Sequence, residues 1–291
     1  MPKPQLTVIM PHLLLPENLE TFQTKIARLS QLNINLYICL DSNEQELIDN
    51  FRTSMVGAPN LRVFASDSRS PGLTRNLGLE QVATDYFTFW DSDDVIDYSA
   101  AKDYLGEVGL ETSDLLISSF KYANSKAHGW TKSRFLNFCL LSNSPGIWRV
   151  TFKREKFQSL RFSNLGMGED VVYLTEAFSI SNCVRFTNSS YYTYIRPEKN
   201  TQSHSIRNKD QVPIFVNEYL KKFEAHLFKS TQMNALLGSV ISSALHNVRI
   251  FSRTQRNEMT NQLMRLGKSD LVKSVFIFGI GKIATKMRGL I

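Results

Sequence analysis

Over the first 120 residues, short apolar runs alternate with stretches in which apolar positions recur every three or four residues. Leu6-Thr7-Val8-Ile9-Met10 predicts a buried strand, and Glu17 to Gln31 puts Leu19, Phe22, Ile26 and Leu29 on one helical face. Ile34 to Leu40 predicts the next strand and Glu44 to Met55 the next helix, with Leu47, Ile48 and Phe51 inward. Leu61 to Ala65 is a third strand. Ser70-Pro71 then starts a helix with a capping hydroxyl and a proline at its first position, continuing through Leu73, Leu77 and Val82. A fourth strand, Tyr86 to Trp90, stops at the acidic turn Asp91-Ser92-Asp93-Asp94; the helix Tyr98 to Val108 and the strand Asp114 to Phe120 follow. This alternation implies right-handed crossovers and a mostly parallel α/β sheet with helices on both faces.

Beyond residue 120 the alternation is lost. Gly168 to Ile180 reads as a helix, Cys183 to Ile195 as aromatic strands, Arg196 to Asp210 as a polar loop, and everything from Gln211 onward as helical. The boundary is expected near residue 206, dividing the chain into 1–206 and a helical region 207–291.

The chain has 291 residues, 42% of them apolar and 21% charged, which is ample for a packed core and excludes a disordered or fibrous protein. Its formal charge of +7 is local: from Arg249 onward nine basic side chains face only Glu258 and Asp270, and the rest of the chain is balanced. An anionic surface therefore suits the tail, whereas a nucleic-acid footprint over the whole molecule is disfavoured. Cys39, Cys139 and Cys183 have neither metal-site nor disulfide-framework spacing, which fits a reducing cytoplasm. Met1 to Gln5 lacks a signal-peptide pattern and no run of about 18 apolar residues occurs, so neither secretion nor membrane spanning is expected.

Open parallel sheets bind ligands beyond the carboxyl ends of their strands, where Asp91, Asp93 and Asp94 fall. Crowded carboxylates repel unless a cation sits among them, and all-oxygen ligands favour Mg²⁺ or Mn²⁺ over zinc. Taken alone, the cluster equally describes a solvated turn in which Ser92 caps a helix. The neighbouring residues tip the balance. Ser70-Pro71-Gly72-Leu73-Thr74-Arg75-Asn76-Leu77-Gly78 followed by Asp85 to Asp94 resembles the core signature of family 2 glycosyltransferases, which have the GT-A fold. Leu6 to Pro11 resembles that family's first strand, Gly146-Ile147-Trp148 with Lys153-Arg154 its middle segment, and Phe162 with Gly168-Glu169-Asp170 its Glu-Asp motif. Tyr192 to Arg196 and Thr201 to Ser205 resemble its Tyr-rich strand and Ser loop, so the likeness runs from about residue 5 to 206.

The resemblance implies metal-dependent, inverting transfer of a sugar from a nucleotide donor, by family expectation a UDP-sugar, to a glycan or lipid-linked hydroxyl in bacterial-type surface polysaccharide assembly. Asp93 would bind the metal, Asp91 the ribose or the metal shell, Asp41 would approach the base, and Arg75 and Pro11 would lie on the donor side. Asp170, with Glu169 beside it, resembles the general base. In-line attack supports that division, because the base and the leaving diphosphate must lie on opposite sides of the anomeric carbon. Two departures fall on the nucleotide side: His12-Leu13-Leu14-Leu15-Pro16 replaces the usual Tyr-Asn, and Asp41-Ser42-Asn43-Glu44 the usual Asp-Asp-Gly-Ser.

Other residues read in two ways. Trp148 suits an acceptor platform for a sugar ring or a core position, and His204 a further metal or phosphate contact or a solvated loop. Trp90 reads as core. Val275 to Ala284 imitates a dinucleotide fingerprint, but with seven residues remaining no βαβ unit can follow. The tail reads instead as a basic amphipathic element, with Val272, Phe276, Ile283 and Met287 on one face, either on an anionic leaflet as a peripheral anchor or packed on its own domain; Gly279 and Gly281 weaken the helix. Two rivals remain at this level: a sugar-nucleotide nucleotidyltransferase, which normally has a glycine-rich basic loop after the first strand, and a nucleic-acid-binding module built on the tail.

Overall fold

The computed structural model describes residues 5–58, 60–123, 129–195, 211–225, 231–266 and 268–287. The chain forms two compact units. The first comprises Met1–Gly129, Ile147–Asn164 and Asn182–Arg196, the second Trp130–Gly146, Leu165–Ser181 and Pro197–Ile291.

The first unit carries β1 (Leu6–Leu13), α1 (Leu19–Leu29), β2 (Asn35–Asp41), α2 (Gln45–Ser54), β3 (Leu61–Ser66), α3 (Pro71–Leu79) and β4 (Tyr86–Phe89). It continues through β5 (Val95–Ile96), α4 (Tyr98–Val108), β6 (Leu115–Ser118) and β7 (Lys121–Tyr122). The remaining pieces are β8 (Val150–Lys153), α6 (Arg154–Phe157), β9 (Val184–Thr187) and β10 (Tyr192–Tyr194); α5 and α7 belong to the second unit. Seven strands order as β3-β2-β1-β4-β8-β6-β9, and β5-β10-β7 form a small second sheet. In the large sheet β8 runs antiparallel to both β4 and β6, while its other pairings are parallel.

Strand alternation explains how the sheet is covered. Leu6, Val8 and Met10 share one core with Phe22 and Ile26 of α1, Ile48 and Phe51 of α2 and Tyr104 of α4. Ile9 and Cys39 point to the opposite face, against Gly78 of α3. The Ser70 side chain accepts from the Leu73 amide with Pro71 at the first helical position, as the sequence implies. Ile147–Arg149 is a single 3₁₀ turn entering β8 rather than part of a strand.

The second unit is helical: α5 (Arg134–Leu141), α7 (Glu169–Ile180), α8 (Gln211–Ala225), α9 (Thr231–His246), α10 (Arg253–Arg265) and α11 (Lys268–Met287). The glycines of the tail do not break α11. A Cβ on Gly281 would lie 2.0 Å from the Cys139 carbonyl oxygen of α5, so glycine here permits close helix packing that offsets its poor propensity. Val275 to Ala284 is therefore continuous helix, not a strand and phosphate loop.

Candidate active site

The strand ends of the first unit build the acidic turn. β1 outruns β4, whose last paired residue is Phe89 opposite Ile9. Pro11 thus lies past the β4 ladder, where its missing N–H leaves no β4 carbonyl unpaired. The Trp90 amide still donates to the Ile9 carbonyl, and the chain then turns through Asp91 to Asp94.

Each acid in the turn has a different partner. Arg75, from α3, is 5% exposed, and its Nη2 donates to Asp91 Oδ1 at 2.7 Å while the guanidinium lies 5.5 Å from the centre of the Phe162 ring. Asp94 is 2% exposed; its Oδ2 accepts from the Tyr192 hydroxyl at 2.5 Å and its Oδ1 from the Ile195 amide at 2.7 Å. Burial pushes the Asp94 carboxyl up to about 7 despite those two hydrogen bonds. Asp93 is exposed at the tip, and its carboxyl is raised first by desolvation and then by the neighbouring Asp91 charge. Among the described residues no cationic side chain lies within ion-pair distance of it.

Two groups to which the sequence assigns no role in the turn hold it in place. Lys25 Nζ of α1 donates to the Ser92 carbonyl at 2.6 Å and also to the Asp94 carbonyl. His12 stacks on Phe22 at 3.5 Å, and its Nδ1 lies 2.8 Å from Ser92 Oγ. Burial lowers His12 to about 4, so the ring is neutral at pH 7. Asn18 Oδ1 already accepts from the Leu15 amide and lies 3.3 Å from His12 Nε2, which assigns the proton to Nε2 and makes Nδ1 the acceptor of the Ser92 hydroxyl. Lys25 follows Phe22 by three positions and precedes Ile26 by one, so it borders the buried stripe; that adjacency is the only sequence signal for it.

Asp41 Oδ1 accepts from the Ser68 and Arg69 amides at 3.0 and 3.1 Å, and its Oδ2 from the Thr74 hydroxyl at 3.3 Å. These bonds make Asp41 an anchor of the β3–α3 connection. Trp148 is 5% exposed, lies parallel to Tyr192 with ring centres 4.5 Å apart and meets the edge of Phe120. Tyr194, half-buried and stacked on the same indole, is the exposed member of that aromatic group; burial and the Asp94, Asp91 and Asp93 charges push its hydroxyl up to about 12. Trp90 is fully buried, as its sequence setting implies.

Glu169 and Asp170 belong to the second unit, in the first turn of α7. Gly168 precedes them at φ +76°, and a Cβ there would meet the Phe215 ring at 2.3 Å, so only glycine suits this entry into the helix. Asp170 Oδ1 accepts from the Val171 amide at 2.8 Å, and Glu169 is buried. His204 lies outside the described residues.

No group of three or more His, Cys, Asp or Glu side chains suited to a metal occurs among the described residues. A hard divalent ion completed by substrate phosphates and water needs fewer protein ligands. Asp93, with a carboxyl raised by burial and a like charge, fits as one ligand, and the Asp91 oxygen not bonded to Arg75 as a second.

A mostly parallel sheet with an acidic turn at the end of a strand matches the GT-A architecture. The model of glycosyl transferase family 2 matches residues 7–171, more than half of the chain, and the protein belongs to that family. It is a glycosyltransferase. S. aureus TarS 1-349 in complex with UDP-GlcNAc is similar over 98% of this chain and 92% of that one, with 16% identity and a TM-score of 0.68. The mannosyltransferase PcManGT from Pyrobaculum calidifontis, in complex with GDP-Man and Mn²⁺, is similar over 97% and 86% with 12% identity and a TM-score of 0.54. Glucosyl-3-phosphoglycerate synthase from Mycobacterium tuberculosis, in complex with Mn²⁺, UDP-glucose and phosphoglyceric acid, is similar over 75% and 79% with 16% identity and a TM-score of 0.50. No curated protein matches the sequence.

Proposed function

We propose that this glycosyltransferase is metal-dependent and inverting, and moves a sugar from a UDP-sugar to a glycan or lipid-linked hydroxyl in surface polysaccharide assembly. The observation that carries the reading is the open carboxylate of Asp93, presented at the tip of a turn whose other acids are already engaged. The Mn²⁺-bound relatives of the same fold support it.

Asp93 and the Asp91 oxygen not bonded to Arg75 would hold Mn²⁺ or Mg²⁺, which would supply neutralising charge to the departing diphosphate. Arg75 fixes Asp91 and adds positive charge behind it. Asp170, separate in sequence and not engaged with that cation, removes the proton from the acceptor hydroxyl. Tyr194 takes over the acceptor-side aromatic contact from Trp148, and Asp41 shapes the donor side through the β3–α3 loop. The experiment is a calorimetric titration of UDP-sugars with and without Mn²⁺. Binding should require the ion, and equal affinity in a chelator would reject metal dependence.

The enzyme acts as a peripheral protein on the cytoplasmic side of an anionic membrane. α11 supports this because it has two apolar faces. Ser274, Ile277 and Gly281 are buried, whereas Val272, Phe276 and Ile283 are 68%, 63% and 62% exposed, with Lys273, Lys282 and Lys286 also exposed. Among the described residues no helix is long and apolar enough to cross a membrane, so the stripe would lie in the headgroup region. Flotation with phosphatidylglycerol-containing vesicles should lose about tenfold or more in binding when Phe276 and Ile283 are both changed to Ser. Unchanged flotation would remove the membrane from the proposal.

A further inference from the structure

We propose that Lys25 is a positioning residue for the sugar-transfer site: its ammonium clamps the backbone of the acidic turn and so fixes where Asp93 presents its carboxylate. This deepens the metal-dependent reading above and rests on it for its functional consequence. The clamp itself is a property of the fold.

The geometry is specific. Lys25 is half-buried on α1, between the core residues Phe22 and Ile26, so its stem is held by packing before its amine reaches the turn. Its Nζ donates to the carbonyls of Ser92 and Asp94, the residues on either side of Asp93. An ammonium has three N–H groups, and two are committed to main chain here. No Lys25 ion pair with a carboxylate occurs among the described residues, so its contact with the turn is through peptide oxygens, whichever state the acids are in. Burial pulls the ammonium below its usual value, opposed by the charges of Asp94, Asp93 and Asp91.

The turn needs such a clamp. Its internal main-chain bond is the long Asp94 amide to Asp91 carbonyl contact at 3.4 Å. Tyr192 fixes the two ends, accepting from the Asp91 amide at 3.1 Å and donating to Asp94. His12 fixes the Ser92 hydroxyl. Among the described residues, Lys25 is the side chain that spans Asp93 on the main chain. Hydrogen bonds to a charged donor are among the stronger ones, so their loss should be felt locally.

Two readouts on the full-length chain test this. In metal-free protein, Lys25→Met should speed amide hydrogen exchange of residues 91–95 by about tenfold or more, while the β1 and β2 amides keep their protection. Lys25→Arg, which keeps charge and donors, should restore most of that protection. In the presence of UDP, binding of Mn²⁺ followed by the EPR signal of the free ion should weaken by about tenfold in Lys25→Met. The direction is diagnostic: removing a nearby positive charge by itself would tighten Mn²⁺ binding, so a loss reports misplaced ligands. Unchanged exchange at 91–95, or equal or tighter Mn²⁺ binding in a folded Lys25→Met chain, overturns the proposal. If the methionine variant does not fold, Lys25→Gln is measured in its place and judged by the same criteria. Wild-type chain that binds no Mn²⁺ with UDP would sink the metal reading, while the exchange experiment still decides the clamp.

Discussion

Asp93→Asn should lower the transfer rate by about 10²–10³ and remove the Mn²⁺ dependence of UDP-sugar binding, because it deletes the exposed acid of the turn, which among the described residues forms no ion pair. Initial rates over an Mn²⁺ series, with calorimetry in parallel, measure both effects. Stability should move the other way. The Asp93 carboxyl is raised by desolvation and by Asp91, so it holds its proton more tightly folded than unfolded. The stability from that protonation is present at low pH and lost as pH rises through the folded value. Asparagine escapes the loss. The metal-free variant should therefore melt at or above the wild-type temperature at pH 7, with the difference shrinking toward about pH 3. A variant that keeps its rate and its metal dependence would place the ion elsewhere.

Asp170→Asn should reduce kcat by about 10²–10⁴ while donor KM and Mn²⁺ binding stay near wild type. That split follows from the assignment of the two acids to different units: the donor-side turn in the first is left intact when α7 of the second is altered. Glu169→Gln is the control, since Glu169 is buried. Steady-state kinetics with a saturating acceptor measure the split. Turnover within about threefold of wild type in Asp170→Asn would mean that another group takes the proton.

Much of the first unit was legible in advance because its signals are local. The capped start of α3 at Ser70-Pro71 needs only neighbouring residues to specify it, as do the apolar runs of β1, β2 and β4. The acidic turn was legible for the same reason, since it follows a strand directly. What stayed hidden depends on distant partners. The antiparallel insertion of β8 between β4 and β6 pairs Phe87 and Leu115 with Phe152, and no local pattern specifies it. The anchoring bonds of Asp41 stayed hidden because its partners Ser68, Arg69 and Thr74 lie 27 to 33 positions away. Trp148 read as either a platform or a core position because its stacking partners Tyr192 and Tyr194 are also remote in sequence. Lys25 had no assigned role in the sequence, since only the folded chain brings it to carbonyls 67 and 69 residues on.

The interleaving of the two units bears on how the gene can be cut. Each unit draws on three separate stretches of sequence, so no single break releases either one whole. α7 relies on segments that come much later: Thr175 meets the Tyr219 hydroxyl at 3.2 Å, and Lys222 of α8 reaches Glu176 at 2.5 Å. A shortened clone stopped at residue 206 would encode Asp41, Asp91, Asp93, Asp94 and Asp170, yet leave the helix bearing Asp170 without its scaffold. Ribosomal synthesis meets the same constraint, because that helix emerges well before the partners that cover it and must wait for them.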